Sequence, residues 1–266
     1  MSSPKGAILL LGGTGKVASR ITPLLSSAGY TTLIASRSGT SPALPNTTGV
    51  KVDWDAPSSY PALFTSAQIT AIFLVGPPVI DMYTPMKALI DMALQNGVRR
   101  FVLLSASLLD VGDGPAMGKV SKYISELGVE WAVLRPSWFM GIEFLRTPTR
   151  PHNPRRITDH HATGSGKVPF VAVADIAAVA FHALTDSEPH NTDHLILGPE
   201  LFSYSEVAEL MSEKLGREIK HVDISERELA EGMKGFGIPG DYADMLAQLD
   251  TAIREGKEER LNGTVK

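Results

Sequence analysis

The chain has no cysteine. Disulfides, a thiolate nucleophile and a cysteine-held metal are therefore excluded. It has no run of 18 apolar residues, and Met1-Ser2-Ser3-Pro4-Lys5 leads straight into a short apolar stretch. Neither a signal peptide nor a membrane span is expected, and the expected location is the cytoplasm. Charge of one sign is not in excess: 25 Lys and Arg against 29 Asp and Glu leave a formal net charge of −4. Nothing here suggests a nucleic-acid or membrane surface. The seven histidines are scattered, with His152, His160 and His161 in a polar stretch. No metal-ligand spacing such as H-E-x-x-H appears, so no metal is expected. What remains is 266 residues, enough for one large α/β domain with a modest appendage.

The most informative segment that is present is Gly12-Gly13-Thr14-Gly15-Lys16-Val17-Ala18. It follows the apolar run Ala7-Ile8-Leu9-Leu10-Leu11 and opens a helical pattern from Val17 to Ala28. Strand, glycine turn and helix in that order let backbone N–H groups and a helix N-terminus approach a pyrophosphate. Gly12, Thr14, Gly15, Lys16 and Val17 are therefore candidate cofactor contacts. The next strand, Thr31 to Ala35, ends in Ser36-Arg37-Ser38. Chains that bind NAD usually carry an acid there for the ribose 2′-hydroxyl. Here an arginine, a permanent cation with a planar fork of donors, stands between two hydroxyls, which suits a 2′-phosphate. The expected cofactor is NADP(H).

Short apolar runs then alternate with helical patterns over the first 140 residues, the signature of a doubly wound parallel Rossmann sheet. Strands are expected at 49–54, 71–75, 101–105 and 131–136, and helices at 58–66, 82–96 and 115–127. Residues 146–167, with Arg146, Arg150, Arg155 and Arg156 among prolines and glycines, read as a long loop bordering a site. A helix is expected at 175–184 with Asp175 as its cap, and a strand at 194–198. Helices are expected from Ser203/Ser205 to Leu215, from Ser225 to Met233 with Glu228 completing a capping box, and from Asp241 to Glu255. The expected division is 1–140 plus 171–200 for the dinucleotide domain, with 141–170 and 201–266 as a small, mostly helical substrate-covering part. Ligands of such sheets sit outside the carboxyl ends of the strands. That argument adds Asp53, Trp54, Gly76, Pro77, Pro78, Ser105 and Ala106 to the cofactor set, with Ser107, Trp138 and Phe139 beside them.

A carbonyl reductase must also protonate the developing alkoxide, and many such folds use a Tyr-x-x-x-Lys pair after the fifth strand. Residues 113–127 offer Lys119, Lys122 and Tyr123, but position 127 is Leu, so the spacing fails. The string does occur at Tyr83 to Lys87, before that strand, where it reads as a decoy, although Tyr83 can still line a pocket. The chain thus has cofactor apparatus without the usual proton donor. Three explanations stay open: a substrate such as an iminium carbon that needs no proton there, an unfamiliar donor, or binding without redox chemistry.

The glycine turn, Ser36-Arg37-Ser38, Gly76-Pro77-Pro78 and Val133-Leu134-Arg135-Pro136-Ser137-Trp138-Phe139-Met140 together resemble the NmrA-like atypical short-chain dehydrogenases over nearly the whole chain. Pro115 to Val120, Thr163-Gly164-Ser165-Gly166-Lys167-Val168-Pro169-Phe170, Asn191 to Glu200 and Arg260-Leu261-Asn262 resemble the fungal festuclavine synthase/agroclavine dehydrogenase group. That group includes reductase/Diels-Alderase and Pictet-Spengler relatives. Isoflavone-reductase-like relatives keep a Lys where Met117 stands, and Gly141-Ile142-Glu143 also departs from the group. The resemblance implies an NADPH-dependent reductase of an imine or iminium intermediate in fungal indole alkaloid biosynthesis, with a steered cyclisation of Diels-Alder or Pictet-Spengler type as a variant. It implies Arg135 and Asp175 as polar catalysts, although Arg135 in a structural ion pair and Asp175 as a plain helix cap are the competing roles. Tyr83, Ser107, Met117, Trp138, Phe139 and Phe170 would line a pocket for an indole or a protonated amine. The expected partner is that small-molecule indole alkaloid, taken by a monomer or homodimer. The alternatives are an NADP(H)-sensing regulator without turnover, or a cyclase that keeps the cofactor only as scaffold.

Overall fold

The structure is a computed structural model that describes residues 6–112, 114–140 and 156–265. Gly141-Ile142-Glu143, Arg146, Arg150 and Arg155 lie outside the described residues. The chain begins β1 (Ala7–Leu10), α1 (Ala18–Ser27), β2 (Thr32–Ser36), β3 (Thr47–Lys51), β4 (Ile69–Leu74), α2 (Tyr83–Gln95), β5 (Arg100–Leu104), α3 (Met117–Glu126) and β6 (Glu130–Pro136). It continues with β7 (Phe139–Met140), β8 (Arg156–His161), β9 (Lys167–Val168), β10 (Val171–Ala172), α4 (Val173–Thr185), β11 (Thr192–Ile196) and β12 (Phe202–Ser203). Last come α5 (Tyr204–Leu215), β13 (Glu218–Asp223), α6 (Glu226–Gly235) and α7 (Gly240–Arg254).

These elements form two compact units. One comprises Met1–Pro77, Asp81–Pro136 and Val173–Leu195, the other Pro78–Ile80, Ser137–Ala172 and Ile196–Lys266. The first holds the seven-stranded sheet, in the order β11-β6-β5-β4-β1-β2-β3. β1 pairs in parallel with both β2 and β4, and the chain then walks outward in opposite directions from that pair. Right-handed crossovers therefore place α1 and α2 on opposite faces of the sheet. α1 packs beside α4, and α2 beside α3. The central strands β1, β4 and β5 are mostly apolar because helices cover both faces. α1 buries Ala18, Ile21, Thr22 and Leu25, a spacing that gives one helical stripe. The direction of winding reverses between β1 and β4, which opens the crevice that doubly wound sheets use for ligands.

Several expectations are corrected. The helix expected at 58–66 is two 3-10 turns, Pro57–Ser59 and Pro61–Phe64. Each begins on a proline, which lacks the N–H that would continue a preceding turn. The stretch read as a loop at 146–167 contains β8, which pairs in parallel along β13, an element the sequence reading missed. Asp175 is not a cap: α4 starts at Val173, and Asp175 sits in its first turn. α3 starts at Met117 rather than Pro115, because Ala116 stands at φ +52° and ψ −117°, outside helical space. The capping box Ser225/Glu228 is formed, and Ser203 with Glu206 forms a second. Among the described residues no helix is long and apolar enough to cross a membrane.

Candidate functional site

In the first unit, the turn after β1 depends on missing side chains. Gly12 has φ +59° and lies against Val75, which places it in the crevice between β1 and β4. A Cβ on Gly13 would come within 2.5 Å of Ile34 Cγ2 and 3.0 Å of the Ala35 nitrogen. A Cβ on Gly15 would meet the Gly12 carbonyl at 2.9 Å. The turn is pinned by Gly13 N donating to Ala35 O at 2.9 Å and Gly15 N to Gly12 O at 2.7 Å. No side chain caps α1 at Val17. An uncapped helix N-terminus facing a glycine cradle fits a pyrophosphate, whose charge answers the helix dipole. Thr14, Gly15 and Lys16 are exposed there, while Val17 is buried beneath them.

Beyond β2 the hydroxyls form a chain. Ser36 Oγ lies 3.2 Å from Ser38 Oγ, and Ser38 Oγ lies 2.8 Å from Thr40 Oγ1. Gly39 N donates to Ser36 Oγ at 3.1 Å. Arg37 between them is exposed and makes no ion pair or hydrogen bond among the described residues. After β3, Asp53 N donates to Ser59 Oγ, and Trp54 stacks edge-on to Tyr60 with centroids 5.9 Å apart. After β4, Gly76 lies within contact of the sulfurs of Met82 and Met86, Pro77 is buried and Pro78 is exposed. After β5, Ser105 and Ser107 donate their backbone N–H groups to Leu134 O and Pro136 O. Ala106 between them is half-buried. The Ser105 hydroxyl is buried, 5% exposed, and has no hydrogen-bond partner among the described residues. A buried hydroxyl without a partner costs free energy, so its position suits a ligand group that supplies one.

Arg135 is engaged in ion pairs. Its guanidinium donates to Asp193 at 2.7 Å, to Asp110 at 2.5 Å and to the Ser107 carbonyl at 2.9 Å. These contacts tie the loop after β5 to β6 and β11, and they leave only Nε without a partner. Asp175 is half-exposed on α4. The Tyr83-x-x-x-Lys87 string is not a working pair. Lys87 Nζ bonds to Asp91 at 2.5 Å and sits 4.8 Å over the Tyr123 ring, while the Tyr83 ring stacks edge-on to Tyr123. Tyr123 donates its hydroxyl to Asp91. Burial, then that carboxylate, raises its pKa above the ordinary value, the opposite of what a proton donor at neutral pH needs. This cluster lines a groove with Lys119, Lys122 and Glu126. Sequence reasoning missed the Asp91–Tyr123 bond, which depends on the register of two packed helices. Met117, half-buried, opens α3.

In the second unit, Phe170 is core. It is 5% exposed, clusters with Val168, Tyr204 and Ile253, and meets the Tyr204 ring edge-on at 5.2 Å. Trp138 is partly buried against that cluster, and Phe139 is half-buried in β7, which pairs with β10. Beside them His161 lies between two buried acids: Nδ1 is 3.0 Å from Asp250 and Nε2 is 3.3 Å from Asp159. Burial alone would lower its pKa, but the two flanking carboxylates, Asp159 and Asp250, outweigh it and push the value up to about 9. The imidazolium is 4.0 Å from the Tyr204 ring, centroid to centroid. The sequence shows this trio only as scattered polar letters.

A family model described as NAD(P)H-binding matches residues 12–187. Festuclavine synthase II of Penicillium roqueforti (strain FM164) is 43% identical over 97% of this chain and 91% of its own length. Agroclavine dehydrogenase of Claviceps fusiformis is 41% identical over 97% of this chain and 91% of its own length. The Citrobacter sp. triphenylmethane reductase complexed with NADP(H) shares the fold at a TM-score of 0.70 and 18% identity, covering 97% of this chain and 93% of that one. The chain belongs to the NAD(P)H-binding family.

Proposed function

We propose that the protein is an NADPH-dependent reductase of an imine or iminium carbon in an indole alkaloid intermediate. The observation that carries this reading is the pairing of a glycine cradle with Tyr123 and Lys87 side chains that are both engaged by Asp91. The relatives named festuclavine synthase and agroclavine dehydrogenase supply the substrate class. Reduced nicotinamide supplies a hydride, and an iminium carbon that accepts it becomes an amine without taking a proton at the reacting carbon. Gly12, Gly13 and Gly15 would admit the pyrophosphate, and the uncapped N-terminus of α1 would face its charge. Arg37, with the Ser36–Ser38–Thr40 hydroxyl chain, would hold the 2′-phosphate and favour NADPH over NADH. Ser105 would orient the carboxamide end. Trp138 and Phe139 would offer aromatic surface to the cation. Arg135 would act through the loop it ties, as a positioning residue.

The test is to incubate the protein with NADPH and a panel of indole iminium compounds and follow nicotinamide absorbance. Consumption of NADPH with formation of the amine is expected. Tight NADPH binding without consumption across the panel would overturn the reductase reading in favour of a sensing protein. Ring-closed product formed without NADPH consumption would point to a cyclase that uses the cofactor as scaffold.

A further inference from the structure

Glu258 is 0% exposed, yet it carries a carboxylate. Taking such a charge out of water is costly unless hydrogen bonds and a counter-charge compensate it. Ser137 Oγ donates to Glu258 Oε2 at 3.1 Å, and Arg260 NH2 lies 3.5 Å from Oε1. Ser137 immediately precedes Trp138 and Phe139. The same short segment is held at two further points: Ser137 N donates to Ile196 O at 3.0 Å, and Val171 N donates to Trp138 O at 2.9 Å.

Around it, the backbone packs too closely for side chains. A Cβ on Gly166 would lie 2.1 Å from the Ile253 carbonyl oxygen, and one on Gly198 would lie 1.8 Å from the Phe170 carbonyl oxygen. The tail that carries Glu258 and Arg260 follows the last turn of α7, whose Ile253 packs in the cluster that supports Trp138. The tail and the Ser137–Met140 segment therefore form one packed structure, with a buried charge at the joint.

We infer that Glu258 is a positioning residue: acting through Ser137, it sets the orientation of the Trp138 indole and thereby the shape of the surface offered to the substrate. The inference rests on the proposed function for the role of Trp138, and on the structure alone for the joint. Among these contacts, the bond to Glu258 is one that an amino-acid substitution removes without touching the backbone.

The test uses full-length protein containing 5-fluorotryptophan. Its three tryptophans give three fluorine resonances, and Trp138→Phe assigns the relevant one. Glu258→Ala and Ser137→Ala are expected to shift the Trp138 resonance and leave those of Trp54 and Trp131 in place. Glu258→Gln, whose amide oxygen still accepts from Ser137, is expected to restore it. With an iminium substrate, Ser137→Ala is expected to raise KM about tenfold while kcat and the NADPH Kd stay within about twofold. An unmoved Trp138 resonance in Ser137→Ala, or equal movement of all three resonances, overturns the inference. A Trp138 shift in protein that reduces no iminium keeps the joint and overturns the proposed substrate instead.

Discussion

At the carboxyl edge of the sheet in the first unit, a cationic side chain and a buried hydroxyl stand without partners among the described residues: Arg37 beside its hydroxyl chain, and Ser105 after β5. In the second unit, the charged side chain of His161 is held on both ring nitrogens by Asp159 and Asp250, which are 4% and 5% exposed. The first arrangement leaves its hydrogen-bonding capacity for something that arrives later. The second uses its capacity internally, and its charges stabilise only as a set. Arg37 and Ser105 are therefore candidates for binding, and the His161 trio for holding the fold.

The sharpest way to break this contrast is His161→Ala. It would leave two buried carboxylates without their cation and should cost about 3–5 kcal/mol of stability, measured by urea unfolding. A loss below about 1 kcal/mol would show that the trio is not structural. Titration tests the same trio without substitution. Because the folded-state pKa of His161 is raised to about 9, its contribution is complete below the unfolded value of about 6.5 and is lost as pH rises through about 9. The wild type should lose about 3 kcal/mol across that window, and His161→Gln should lose none of it.

The binding side predicts smaller effects. Arg37→Ala should weaken NADPH about 10–50-fold and NADH by less than about twofold in direct titrations. Equal losses would refute the 2′-phosphate assignment. Ser203→Ala removes a capping box on α5 and should cost about 1 kcal/mol in thermal or urea unfolding, without altering the NADPH Kd. Lys87→Met should change iminium turnover by no more than about twofold. A large loss would return the Tyr83/Lys87 string to the chemistry.

The strands and most helices of the sheet were legible because burial on both faces writes continuous apolar runs, and because glycine is the residue that the turn after β1 tolerates. β8 was not legible. Thr158-Asp159-His160-His161 shows no alternation of apolar and polar letters, and Asp250, which bonds His161, lies 89 residues away from it. The reading of Arg135 as a catalyst had the same weakness: its partners Asp110 and Asp193 lie 25 and 58 residues away. The start of α3 differs because the positive-φ conformation of Ala116 leaves no mark in an alanine. Phe170 carries the same letter whether it faces a pocket or, as here, a core. Local periodicity and turn chemistry can be read along a chain, whereas which charges neutralise one another is decided only when distant segments meet.

The unit that carries Trp138 and Glu258 is stitched from three separate stretches, 78–80, 137–172 and 196–266. No single crossover between related genes can exchange it whole. A laboratory chimera that exchanges this unit must therefore graft all three stretches together, with Ser137 and Glu258 taken from the same parent.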